Sequence, residues 1–128
     1  MKKFLFTGMI VAFAFAFNLN QTYTCETLGI SFKKNNKTYN VANTVKTQKQ
    51  LKKSLKLFYN IHAEFKNKQL ILQIGEQNDT LAYVKNVKGN VELYAEQKGR
   101  LFVLSDANVS QIGLSMPSQD LIIFYQCK

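Results

Sequence analysis

Beyond residue 20, apolar and polar residues alternate with a period of two along most of the chain, which is the pattern of strands with one buried face. Tyr23 and Cys25 fall on one face while Thr22, Thr24 and Glu26 fall on the other, and Ile30 and Phe32 continue an apolar face opposite Ser31 and Lys33. Asn35-Asn36 predicts a turn before a strand over residues 38–41. From Asn60 the rhythm predicts a meander. Ile61, Ala63 and Phe65 alternate with polar partners, Asn67-Lys68 turns the chain, and Leu70, Leu72 and Ile74 follow. Further strands fit residues 81–84, 91–95 and 101–104, with Lys88-Gly89 and Lys98-Gly99 as turns. The last run is the most apolar: Leu121, Ile123, Tyr125 and Cys127 share one face, and Ile122 and Phe124 the other, which predicts a strand covered on both sides.

The period changes once. Leu51, Leu55 and Phe58 recur at helical spacing, and Thr47 with Gln50 three residues later carries a capping-box signature. This predicts one amphipathic helix packing its apolar stripe on the sheet, with Lys49, Lys52, Lys53 and Lys56 on the opposite face. The predicted class is β-rich α+β: an antiparallel meander sheet or a small closed or near-closed β-barrel, with one helix and a disulfide joining the first and last strands.

The N-terminus obeys a different pattern. Lys2 and Lys3 precede an uncharged run from Phe4 to Phe17, which is the layout of a secretory signal and too short for a bilayer span of roughly 20 residues. Ala14-Phe15-Ala16 offers a peptidase site, so residues 1–16 are expected to be a signal peptide, within a few residues, and 17–128 a single small domain with no transmembrane anchor. Thr22, Tyr23 and Thr24 do not make Cys25 a lipoprotein acylation site. The destination is the periplasm or the exterior. In such an oxidising compartment the two cysteines, Cys25 and Cys127, pair most simply with each other. Two distant cysteines and a single histidine hold no metal at zinc spacing, and no cofactor motif is present.

Charge is unevenly spread. Between Glu26 and Glu64 stand eight lysines and no acid, whereas the rest of the chain from residue 17 has seven basic and eight acidic residues. Such a segment either solvates its own helix or serves an anionic partner: a lipid headgroup, lipopolysaccharide, an acidic glycan or an acidic protein. Nucleic acid is not expected of an exported chain without a binding motif. Four Asn-x-Ser/Thr sequons are present, at Asn20, Asn36, Asn78 and Asn108. Those at Asn78 (preceded by Glu76) and Asn108 (preceded by Asp106) resemble the acidic-x-Asn-x-Ser/Thr acceptor of bacterial oligosaccharyltransferases, and both are expected in loops.

Catalytic signatures are absent, and the expectation is a non-enzymatic protein. Gly113-Leu114-Ser115-Met116-Pro117 lacks the closing glycine of a nucleophile elbow. His62 alternates onto the polar face with Asn60, Glu64 and Lys66, a surface imidazole paired at most with Glu64. The opening Tyr23-Thr24-Cys25-Glu26 with the closing Cys127 resembles small periplasmic inhibitors of C-type lysozyme, which are disulfide-closed antiparallel barrels. The resemblance covers only the ends of the domain and implies a hydrolase inhibitor; the family's inhibitory loop sequence is not found, and a basic protein is poorly matched to a basic lysozyme. An immunity protein against a secreted toxin fits the same residues. The expected role is thus a binding or accessory protein with a basic face for an anionic envelope component or a protein partner.

Overall fold

The computed structural model describes residues 17–128, so the expected signal segment lies outside the described residues. Nine strands, β1 (Thr22–Lys34), β2 (Lys37–Ala42), β3 (Asn60–Lys66), β4 (Gln69–Ile74), β5 (Gln77–Lys88), β6 (Val91–Glu96), β7 (Phe102–Asp106), β8 (Gln111–Met116) and β9 (Leu121–Cys127), form one antiparallel sheet in the order β2-β1-β3-β4-β5-β6-β7-β8-β9. Pairing of β1 with β9 closes β1 and β3–β9 into an eight-stranded barrel. A barrel of eight strands has an interior just wide enough for side chains. Here Ile61, Leu70, Leu72, Leu81, Val103, Ile112, Leu114, Ile123 and Tyr125 fill it, each essentially excluded from water.

β1 is long because it serves two partners along one edge. Its first half, Thr22 to Glu26, pairs with β3, and its second half, Gly29 to Lys34, pairs with β2, while β9 lies along its other edge. The change of partner falls at an irregularity between Thr27 and Gly29. Backbone polar groups freed by such a break must find partners. Thr27 donates its hydroxyl and its N–H to the Tyr59 carbonyl, at 2.8 and 3.0 Å, and Asn43 donates its side-chain amide to the Thr27 carbonyl and to the Tyr59 hydroxyl, both at 2.7 Å.

The disulfide Cys25–Cys127 joins the closing strands, with the two residues directly opposite and their Cα atoms 4.0 Å apart. The flanking pair Thr24 and Lys128 exchange both backbone hydrogen bonds, at 3.0 and 2.9 Å, so the bridge occupies the close, non-hydrogen-bonded position of the ladder.

The helix α1 (Gln48–Leu55) runs into a 3-10 turn, Lys56–Phe58, and together they cover one mouth of the barrel. Leu51 and Leu55 are buried, as the helical stripe predicts; Phe58 is only half-buried, because it falls in the 3-10 turn. Leu57 lies against Gly75 in the β4–β5 turn, where a β-carbon would come within 2.9 Å of it. From below, the Tyr125 hydroxyl donates to the Phe58 carbonyl at 2.6 Å.

Several expectations need correction. The capping box does not form: the Thr47 hydroxyl donates to the Ala42 carbonyl and accepts the Thr44 N–H, so it is spent on the loop before the helix. β8 was not anticipated, because Ser110, Gly113, Ser115 and Pro117 give its surroundings the composition of a loop. Asn78 stands in β5, paired with Gln73, and not in a loop. The outer face of β9 is uncovered, with Ile122 37% and Phe124 44% exposed; a closed barrel buries only its inner face, and no layer lies over this one.

Candidate functional site

The meander sorts the turns into two groups. The β1–β2, β4–β5, β6–β7 and β8–β9 connections and the helix gather at one end, here the helix end; the β3–β4, β5–β6 and β7–β8 turns, with Thr22 and Cys127, gather at the other.

All eight lysines of the acid-free segment go to the helix end. Asn35 and Asn36, both with positive φ (54° and 63°), make the tight turn whose twist suits a hairpin, and this carries Lys33, Lys34 and Lys37 out to its tip. Lys34 and Lys37 stand directly opposite each other, a like-charge pairing that disfavours the hairpin. Lys46 precedes the helix, and Lys49, Lys52, Lys53 and Lys56 line its outer side. Every one of the eight is exposed, and none makes an ion pair among the described residues. Lys52 has one aromatic partner, with its Nζ 5.5 Å from the centre of the Tyr59 ring. Burial of Leu51 and Leu55 fixes which way the helix faces, so Lys49, Lys52 and Lys53, followed by Lys56 at the start of the 3-10 turn, project outward from the barrel mouth.

Other charges at this end are Glu76, Lys98 and Asp120, which make no ion pair among the described residues, and a bonded group of Arg100 with Glu96 and Asp79. Arg100 donates its N–H groups to Glu96, the closest contact being 2.9 Å from Nη2, and lies 3.6 Å from Asp79. These side-chain and backbone hydrogen bonds from Arg100 hold the Glu96 carboxyl below its ordinary value. The eight lysines thus outnumber the two acids, Glu76 and Asp120, that stand unpaired at the same end.

A second feature lies on the barrel wall. Leu93, Leu104, Gly113, Phe124 and Gly29 form one outward-facing row across β6, β7, β8, β9 and β1. The first four, with Val91, Phe102 and Ile122, line a shallow, mainly apolar groove of about 460 Å³. The Phe124 ring lies over Gly113, where a β-carbon would meet it at 3.6 Å. This groove was not read from the sequence; the signal was present in the apolar outward positions of β6, β7 and β9.

His62 is exposed on β3, with Nδ1 3.4 Å from the Thr24 hydroxyl. Glu64, the expected partner of His62, instead pairs with Lys66 at 3.7 Å; both neighbours share its face of β3. The described residues contain no cluster of three metal-ligating side chains and no helix long and apolar enough to cross a membrane. The four sequons divide between the ends: Asn36 and Asn78 toward the helix end, Asn20 and Asn108 toward the other.

Compared with known proteins, the chain matches no family model, no curated protein and no solved structure.

Proposed function

We propose that this is an exported, non-enzymatic binding protein of the cell envelope whose lysine-bearing helix end holds an anionic partner. The observation that carries the reading is the gathering of eight exposed, unpaired lysines from the hairpin tip and the helix at one barrel mouth. Like charges at this density oppose one another, and an anionic surface relieves them. The filled interior supports a surface for binding over an internal pocket.

The test is cross-linking capture from the native envelope, comparing the protein with a variant carrying Gln at Lys49, Lys52, Lys53 and Lys56. A partner held by the wild type and lost from the variant supports the reading, as does binding that weakens steeply with salt, since exposed charges are screened beyond about 8 Å at physiological ionic strength. Equal capture by both proteins overturns it.

A hydrolase inhibitor is the second reading. What favours it is the closed antiparallel barrel with Cys25 bridged to Cys127, the architecture implied by the resemblance of the chain ends to lysozyme inhibitors. Near-stoichiometric slowing of peptidoglycan lysis by any of a panel of lysozymes supports it; no inhibition across the panel removes it.

A further inference from the structure

Four sequons are equivalent as strings but not as places in the fold. Asn20 and Asn36 lack an acid two residues before them, where Asn18 and Lys34 stand. Asn78 and Asn108 both have one. An acceptor asparagine must enter the transferase together with its neighbours, so the five residues from the acid to the hydroxyl have to leave whatever ladder they belong to.

For Asn78 that ladder is the barrel itself. Gln77, Asn78, Asp79 and Thr80 pair with Ile74, Gln73, Leu72 and Ile71 of β4. Asp79 is also held by Arg100, itself bonded to Glu96. Releasing this segment opens the wall between two closed ladders. Residues 107–110, by contrast, form the β7–β8 turn: Asp106 stands at the last rung against Val91 and Gln111, and at the other end the Ser110 carbonyl accepts the Cys127 N–H at 2.8 Å while the Gln126 side-chain amide donates to the Val109 carbonyl at 2.8 Å. Asn108 is exposed, its backbone N–H bonds the Asp106 carboxylate at 3.1 Å, and its side-chain oxygen accepts the Asn90 amide at 2.8 Å, from the neighbouring turn. Lifting this tip costs those bonds at the barrel rim, the Ser110 bond to Cys127 among them, whereas releasing Asn78 parts four consecutive rungs of the wall.

We infer that Asn108 is the N-glycan acceptor of the folded protein, and that Asn78, with an equally acidic sequon, is masked by the β4–β5 pairing. The donor is an oligosaccharide on a lipid pyrophosphate. The side-chain nitrogen of Asn108 forms a bond to the sugar C1, the bond from C1 to the pyrophosphate oxygen breaks, the lipid pyrophosphate leaves, and the amide loses one proton. The glycan stands at the barrel end away from the lysines, so it leaves the proposed binding end free; the inference does not depend on that reading.

The experiment incubates the oxidised protein, and separately peptides covering residues 74–82 and 104–112, with a bacterial oligosaccharyltransferase and its lipid-pyrophosphate-linked oligosaccharide. Intact mass and peptide mapping locate the sugar. Both peptides accept it, whereas the folded protein takes one glycan, at Asn108, with at least about a tenfold excess over Asn78, because only a sub-global opening exposes the strand. Asn108→Gln abolishes the product and Asn78→Gln leaves it. Comparable modification of Asn78 in the folded protein, or an unmodified Asn108, overturns the inference.

Discussion

Single side chains near the barrel mouth satisfy polar groups that are at least partly withdrawn from water. Tyr125 is fully buried, and its hydroxyl, kept neutral by burial that raises its pKa, satisfies the Phe58 carbonyl. Tyr125→Phe keeps the ring and orphans that carbonyl, so it should lower stability by about 1–3 kcal/mol in urea unfolding, with an unchanged slope. Glu96 titrates in the other direction. Its folded pKa lies below the ordinary 4.5 because Arg100 bonds it. Its contribution is therefore complete above that ordinary value and is lost as pH falls through the lowered one. Thermal melts between neutral pH and about pH 3 should show wild type and Arg100→Ala converging at the acid end. A gap that stays constant with pH would mean that Arg100 acts by packing alone.

At the scale of elements, the strand that changes partners is the sensitive one. A β-carbon at Gly29 would lie 2.8 Å from the Val41 carbonyl oxygen, a backbone atom that cannot move without loosening the β1–β2 hairpin. Gly29→Ala should cost about 1–3 kcal/mol, the range for forcing atoms into a packed site, again by urea unfolding. This constraint was not legible beforehand, because it depends on the exact register of the β1–β2 hairpin, which sets Gly29 against Ala42 at the point where β1 changes partners. Most strands were legible, because one buried face imposes strict alternation, as in Ile61, Ala63 and Phe65 or Leu70, Leu72 and Ile74. β8 alternates equally well through Ile112, Leu114 and Met116, but its outward Gly113 and Ser115 carry turn chemistry. The helix was legible from Leu51 and Leu55, and its cap was misread because the Thr47 hydroxyl turns to Ala42. The basic site was legible as a run without acids. What the sequence could not display is that the hairpin tip and the helix share one barrel end, which follows only from closure.

For the whole molecule, the two cysteines carry the longest-range constraint. They are separated by 102 residues, and on the chain-entropy account a bridge over that distance stabilises by about 4–5 kcal/mol. Replacing both by Ser should lower the unfolding free energy by that amount, and calorimetry of the variant against the oxidised wild type would measure it. A loss near zero would mean that the β1–β9 ladder alone confines the chain ends. Either way, Thr24 and Lys128 are bonded neighbours, and the domain's first and last strands lie side by side. A short peptide could therefore splice one end to the other, and the chain could be reopened at the β5–β6 turn around Gly89. Such a circular permutant would keep every strand pairing while moving the free ends to a different seam of the wall, still at the end remote from the lysines.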